Sequence, residues 1–395
     1  MMSSWTRAGA FASMAALLLT ASPSVAAEAP PYELNVVLSE TGAAGFAGQA
    51  EAAALRGLEK VTNASGGING RPLEMVFHDD QSSPQVTVQI VNDLIAKKVP
   101  AFIGPTLVAM CSAIAPLVQN GPFGYCMSAS LYPPTGSFQF ATNPSTVDWV
   151  NALITYYRRQ NLHRIAVLTT TDASGQDGDK QIAHALAEPE NHSMTVVATE
   201  HYGISDLSVS AQIAHLKAAT PDAYIVWSAG TPTLTAMRGF HDAGLDDAPI
   251  GLSPANASYL QLKQMGPIGL KKMIFPSVGV LAPDAIRNPT QRRAIQQLID
   301  ASAPARPDLL SVTGWDPGSV LVDALRHFGP SATAEQLRSY VANLRGFVAT
   351  NGTYDFQAIP QRGVGEADVF ISIWDNSKGT WVGVSGPSGT PPAGR

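Results

Sequence analysis

From Tyr32 onward the chain alternates short apolar runs with longer stretches whose apolar residues recur at helical spacing. Residues 34–38, 73–77, 101–103 and 123–126 read as strands. Between them, residues 49–62 and 86–97 read as helices. In the second of these, Val88, Val91, Leu94 and Ile95 fall at i, i+3, i+6 and i+7, on one face. The series then restarts with a strand at 164–168, a helix at 178–187, a strand at 195–198, a helix at 208–218 and a strand at 224–227. In each half a strand runs into a similar turn, Ile103-Gly104-Pro105-Thr106 in the first and Ala229-Gly230-Thr231-Pro232 in the second. Strand–helix alternation of this kind predicts βαβ units, and two such series predict an α/β protein of two doubly wound parallel-sheet lobes. After a strand at 273–276 the order becomes less regular. Helices are expected at 291–301, 318–327 and 334–343, and a last strand at 369–374. The Gly/Ser/Pro-rich tail, residues 383–395, is expected to be mobile.

Composition narrows the classes. At 395 residues, two or three domains are expected. With 45% hydrophobic residues the chain can bury a large core, which excludes a disordered protein. Its net charge of −6 offers no general attraction to phosphate backbones or anionic lipid, so nucleic acid and membrane surfaces are excluded as partners. Residues 1–27 carry Arg7 before an apolar stretch and end in Val25-Ala26-Ala27, the pattern of a cleaved secretory signal peptide. That stretch is shorter than the roughly 20 residues a membrane span needs. The only cysteines, Cys111 and Cys126, lie far from the cleavage point, so a lipoprotein anchor is not expected. In an oxidising compartment the pair reads either as a disulfide or as two buried thiols, and export favours the disulfide.

Catalytic signatures are missing. The sequence contains no G-x-S-x-G elbow, no phosphate loop and no H-E-x-x-H. Gly42, Gly45 and Gly48 follow the first strand, but at G-x-x-G-x-x-G spacing rather than that of a dinucleotide fingerprint. The eight histidines are scattered without metal-ligand spacing. Asp79 and Asp80 are adjacent, so their side chains point apart and read as turn caps rather than as an acid/base pair. No enzyme and no cofactor are expected.

One stretch is specific. Asn63-Ala64-Ser65-Gly66-Gly67-Ile68-Asn69-Gly70-Arg71-Pro72 leads into a strand ending in Asp79-Asp80, and Ile103-Gly104-Pro105 follows. This resembles the type I periplasmic binding proteins of the leucine/isoleucine/valine-binding family. The resemblance implies a monomeric two-lobed trap in the periplasm that binds a small solute between its lobes. Closure then presents it to the permease subunits of an ABC-type importer. It places lobe I at 28–142 plus 277–350 and lobe II at 143–276 plus 351–382. The three crossings are then expected near 140–144, 275–278 and 350–354.

The same resemblance assigns the pocket. Ser39, Thr41 and Gly42 match the loop after the first strand, and Phe46 takes an aromatic wall position. Thr106, Leu107 and Val108 occupy a helix start where the family often has a ligand-holding serine. Ser128, Ala129 and Ser130 match the segment that binds ligand carboxylate and amino groups. In lobe II, Ser174, Trp227 and Ser253 fall at pocket positions, Ser253 where amino-acid binders carry an acid. A buried ammonium without an anionic partner is costly, so the reading favours a carboxylate, aromatic or aliphatic, without a charged nitrogen. Asp172 reads either as a substitute acid or as a helix cap, and Phe46 and Trp227 either as walls or as core. Trp315 is a further candidate for the cleft mouth. A branched-chain amino-acid or amide binder, and a periplasmic sensor that feeds no importer, remain the alternatives.

Overall fold

A computed structural model describes Met2 and residues 30–392. Apart from Met2, the proposed signal peptide lies outside the described residues, as do the last three residues of the tail. The chain builds two sheets. The first contains β1 (Tyr32–Leu38), β2 (Leu73–Asp79), β3 (Ala101–Ile103), β4 (Phe123–Cys126) and β5 (Gln139–Ala141), all parallel, in the order β2-β1-β3-β4-β5. The second contains β6 (Arg164–Thr170), β7 (Thr195–Tyr202), β8 (Ala223–Trp227), β9 (Ile250–Leu252) and β10 (Met273–Ser277), parallel in the order β7-β6-β8-β9-β10. The two orders are the same doubly wound pattern. A hairpin, β11 (Arg345–Val348) with β12 (Thr353–Asp355), stands apart, and antiparallel β13 (Phe370–Asp375) and β14 (Thr380–Gly383) extend the second sheet beyond β10.

The helices are α1 (Gly45–Ala64), α2 (Pro84–Ala96), α3 (Val108–Ile114), α4 (Thr146–Arg159), α5 (Ala173–Ala187) and α6 (Ser210–Ala218). They continue with α7 (Thr231–Asp242), α8 (Tyr259–Met265), α9 (Pro289–Ser302), α10 (Leu309–Phe328) and α11 (Ala334–Asn343). The apolar stripe of α1, including Ala47, Leu55 and Leu58, packs on α10 and α9. The turn after α1 needs Gly67 at φ +61°, where an added Cβ would run into the Arg71 carbonyl. Asp79 accepts from the Thr41 hydroxyl and Asp80 from that of Ser39, so the two carboxylates tie the loops after β1 and β2 together from opposite sides. Ser39, Thr41 and Gly42 therefore serve that junction; a Cβ on Gly42 would lie 2.5 Å from the Gln81 carbonyl oxygen.

Several boundaries differ from those the pattern predicts. α5 begins at Ala173 because Asp172 caps it through the Gly175 amide. Gly175 and Gly178 lie inside this helix, where a Cβ would strike Thr170 and Trp227. α10 begins at Leu309 rather than at 318, capped by Asp308, and carries Pro317 within it. The third crossing does not fall at 350–354: β12 pairs with β11, and Arg362 still donates to the carbonyls of Thr142 and Asn143 beside the first crossing. The chain joins the second sheet only at β13. The expected mobile tail is packed as far as it is described. Val384 donates to the Ile371 carbonyl, Ser388 to that of Val369, and Gly389 lies against Ala152 of α4. Cys111 and Cys126 form a disulfide that ties α3 to the end of β4, with Cα atoms 6.0 Å apart.

Candidate functional site

In a doubly wound sheet, ligands bind in the crevice beyond the carboxyl ends of the strands. Here the carboxyl ends of both sheets face one cavity of about 320 Å³. The loops after β1, β3 and β4 line it from one lobe, and those after β6, β8 and β9 from the other. Its size lies at the small end of ordinary ligand sites. Several contacts bridge the lobes, two of them at the cavity's edge. Gly230 has room for no side chain because the Phe46 ring lies 2.9 Å from where its Cβ would be, and Tyr132 donates to Asp177 at 3.2 Å.

Phe46, Thr106, Leu107, Ser128, Ala129, Ser130, Ser174, Trp227 and Ser253 all line this cavity. Val108 does not. Leu107 is the extended residue before α3, and Val108, the first helical residue, packs on the cluster of Cys111, Cys126, Leu131 and Ala141 instead. Trp315 is also turned away, buried in the core of α10. Trp227 is both wall and core, since it lines the cavity yet packs on Gly178 of α5.

Hydrogen bonding decides which polar groups remain available to a solute. The Ser253 hydroxyl donates to the Ser228 carbonyl at 2.6 Å, so its proton is engaged within the lobe. Ser130 and Thr146 share a hydroxyl–hydroxyl bond at 3.0 Å. The Thr106 hydroxyl accepts from the Ser39 amide and donates to Glu51 at 2.8 Å, so it is not a free donor. Asp172 caps α5 and lines the cavity as well, which reconciles its two readings.

The residues that the pattern missed are Glu51 and Trp149, with Asn143 and Thr313 near the first crossing. Glu51 projects from α1 and is 1% exposed. Burial pushes its carboxyl up to about 8; the Thr106 hydroxyl opposes the rise and Asp80 adds to it. Its legible signal was an acid within the apolar stripe of Ala47, Ala54, Leu55 and Leu58. Trp149, on α4, adds a second indole wall, and its N–H is buried without a partner among the described residues.

The titratable side chains described in the cavity wall are two acids, Glu51 and Asp172. No Lys, Arg or His is among the lining residues described. The first turns of α1, α4, α5, α7 and α10 all contribute lining residues. Ser145, Asp172 and Asp308 cap α4, α5 and α10, whereas α1 and α7 have no side-chain cap. Of the first-turn amides of α1, those of Gly45 and Ala47 already bond to the Gly42 and Ala44 carbonyls, and α7 carries Pro232 in its first turn, so what these two helices, one per lobe, bring to the cavity is mainly the positive end of the dipole. Among the described residues no cluster suited to a metal ion is found, and no helix is long and apolar enough to cross a membrane.

Two doubly wound lobes closing on one apolar cleft define a solute-binding clamp. A model of the periplasmic binding protein family matches residues 31–380, and the chain belongs to that family. Among solved structures it is similar to an extracellular ligand-binding receptor from Rhodopseudomonas palustris HaA2. That match has a TM-score of 0.79 at 20% identity and covers 89% of this chain and 99% of that one. It is also similar to the branched-chain amino acid transporter substrate-binding protein LivJ from Streptococcus pneumoniae, in complex with isoleucine. There the TM-score is 0.77 at 17% identity, with 90% of this chain and 99% of that one covered. A type 1 periplasmic binding protein from Bordetella pertussis Tohama I gives a TM-score of 0.76 at 18% identity, over 89% of this chain and 99% of that one. At these identities the likeness is one of fold. No curated protein sequence matches the chain.

Proposed function

We propose that the chain is the solute-capturing component of an ABC-type importer working outside the cytoplasm, and that it traps a small organic carboxylate with an aliphatic or aromatic body. One observation carries this reading: a single cavity, walled by Phe46 from one lobe and by Trp149 and Trp227 from the other, receives uncapped helix ends from both lobes and no cationic side chain. The carboxylate would lie toward the positive ends of those dipoles and near Ser128, with the apolar body between the aromatic rings. The mechanism needs no reacting group. A solute that touches both lobes only when they are closed shifts the open–closed balance by that differential contact, and the closed form is what a permease would read.

Thermal-shift screening of the purified chain against small carboxylates, amino acids and amides tests the reading. A solute at 100 times its dissociation constant stabilises by about 2.7 kcal/mol. Replacement of Phe46 by Ala should abolish most of the shift while leaving the unliganded melting temperature nearly unchanged. Catalytic consumption of any bound compound would overturn the assignment. Loss of uptake of the best solute on deletion of the gene tests the transport role.

A second reading, a branched-chain amino-acid binder, is favoured by the Glu51 carboxyl in the cleft wall and by the isoleucine bound to the Streptococcus pneumoniae protein. An α-ammonium would then pair with ionised Glu51.

A further inference from the structure

Glu51 is the one cleft-lining acid that caps no helix, and nothing in the trap mechanism above requires it. Its surroundings are built rather than incidental. It is 1% exposed, and its Oε2 accepts the Thr106 proton at 2.8 Å. Thr106 is in turn held by the Ser39 amide at 3.2 Å, so the Thr106 hydroxyl cannot turn round to serve a solute. Among the described residues no group of the protein bonds to the other carboxyl oxygen, Oε1. Oε1 is not among the fully buried unpartnered atoms, so one carboxyl oxygen is pinned by Thr106 while the other retains access to the cavity and can meet a ligand atom.

The groups around it decide its charge. The end of β2 brings Asp80, itself an acid bonded to Ser39, and the loop after β3 brings Thr106. From α10, packed on α1 with Gly314 against the Glu51 backbone, only Leu309, Leu310 and Thr313 reach the cavity, and none titrates. Across the cavity stands Asp172, another acid. No cation faces Glu51 from any of these elements, and Asp80 opposes its ionisation.

We infer that Glu51 enters the solute complex as a neutral carboxylic acid, accepting from Thr106 through Oε2 and donating its own proton from Oε1 to an oxygen of the bound carboxylate. The inference rests on the carboxylate reading above and adds to it a chemical selection. A neutral acid at this position rewards an anionic or carbonyl oxygen, and a solute presenting an ammonium there must first strip the proton. Burial holds the Glu51 carboxyl up at about 8, so the donor form prevails at neutral pH in the free protein. An anion bound beside it raises that value further. No covalent bond changes; the proton stays on Glu51 and is shared along the hydrogen bond.

The test uses two probes of the same shape, 4-methylpentanoate and leucine, which differ in the α-ammonium. Titration calorimetry from about pH 6 to about pH 9 should show 4-methylpentanoate bound with level affinity at the acid end, falling by up to about tenfold per pH unit above about 8, with net proton uptake there. Glu51→Gln keeps a donor and an acceptor of similar shape. It should bind about threefold more weakly at pH 7 and lose the alkaline fall; Glu51→Ala should lose about tenfold or more. Affinity that rises with pH, or leucine bound in preference with proton release near pH 7, would overturn the inference while leaving the solute trap standing. An alkaline fall unchanged in Glu51→Gln would also overturn it. A solute-free measurement separates the two levels. The infrared difference between the wild-type chain and Glu51→Gln should contain a protonated-carboxyl band that fades as the pH passes about 8, and its absence would refute the neutral acid directly. Failure of 4-methylpentanoate, and of every aliphatic or aromatic carboxylate in the thermal-shift screen, to bind would end the carboxylate reading itself, and this inference with it.

Discussion

At the scale of single residues, the site depends on side chains that do two jobs. Trp227 forms a wall of the cavity while its ring packs on the bare backbone of Gly178, where a Cβ would collide with the indole. Replacing Gly178 by Ala should therefore push Trp227 toward the cavity. The expected outcome is a loss of about 1–3 kcal/mol of stability, as for other overpacked contacts, together with weaker solute binding. Thermal melting and a titration on the same variant check both; an unchanged affinity would mean that Trp227 is core alone. Most of the residues that the resemblance assigned to a pocket, Phe46, Ser128 and Trp227 among them, line the cavity, because they follow strand ends and turns that fix the position-by-position match. Val108 was misplaced by a rotation. One residue past the extended Leu107, the helical backbone of α3 turns its side chain to the disulfide cluster. Glu51 was missed because no turn or strand end marks it. Its oddity, an acid on a core stripe, becomes meaningful only once α1 is seen to border the cavity.

At the scale of elements, the parallel strands were readable because both faces are covered and the runs are continuously apolar. Both series of β1–β4 and β6–β8 stand where the pattern put them. Two helices start earlier than the pattern suggests, α5 at Ala173 and α10 at Leu309, and Gly or Pro lies within the early turns of each. In α5 the glycines serve close packing, and in α10 Pro317 is tolerated inside a helix whose cap lies ten residues upstream of the expected start. The signal for that cap was present in Asp308, three residues before Ser311, the two ends of a capping box. Asp308 also receives the amide of Tyr259, so it fixes α10 to the start of α8. Asp308→Ala should cost about 1–2 kcal/mol. In urea denaturation this is expected as a lower midpoint with an unchanged slope, and an unchanged midpoint would show that the cap is dispensable. The short elements, β5, β9 and the β11–β12 hairpin, carry too few residues for periodicity to reveal, and their tertiary partners define them.

At the scale of the whole molecule, the buried acids set a pH dependence. Burial raises the carboxyls of Glu51, to about 8, and of Asp308 and Asp368, each to about 6; it raises Asp316 as well. Each of these groups holds a proton in the folded chain that it has already released in the unfolded one. Stability is therefore expected to fall as the pH climbs from the ordinary carboxylate range, about 4, through about 6 for the two aspartates and on to about 8 for Glu51, and to level off beyond. The exposed carboxylates Asp355 and Asp375 shift downward, but as solvent-exposed groups they contribute little. Denaturant unfolding at pH 5 and pH 8 should give the higher midpoint at the lower pH; the reverse order would show that the buried acids do not dominate. Two lobes built on the same strand order meet over one cavity, and the proposed clamp requires its occupant to touch both. The most direct measurement is a crystal structure of the chain with the solute that stabilises it most. The account predicts the solute between the two sheets, its carboxylate toward Glu51 and Ser128 and its apolar body against Phe46, Trp149 and Trp227. A solute bound elsewhere, or held by one lobe alone, would contradict it.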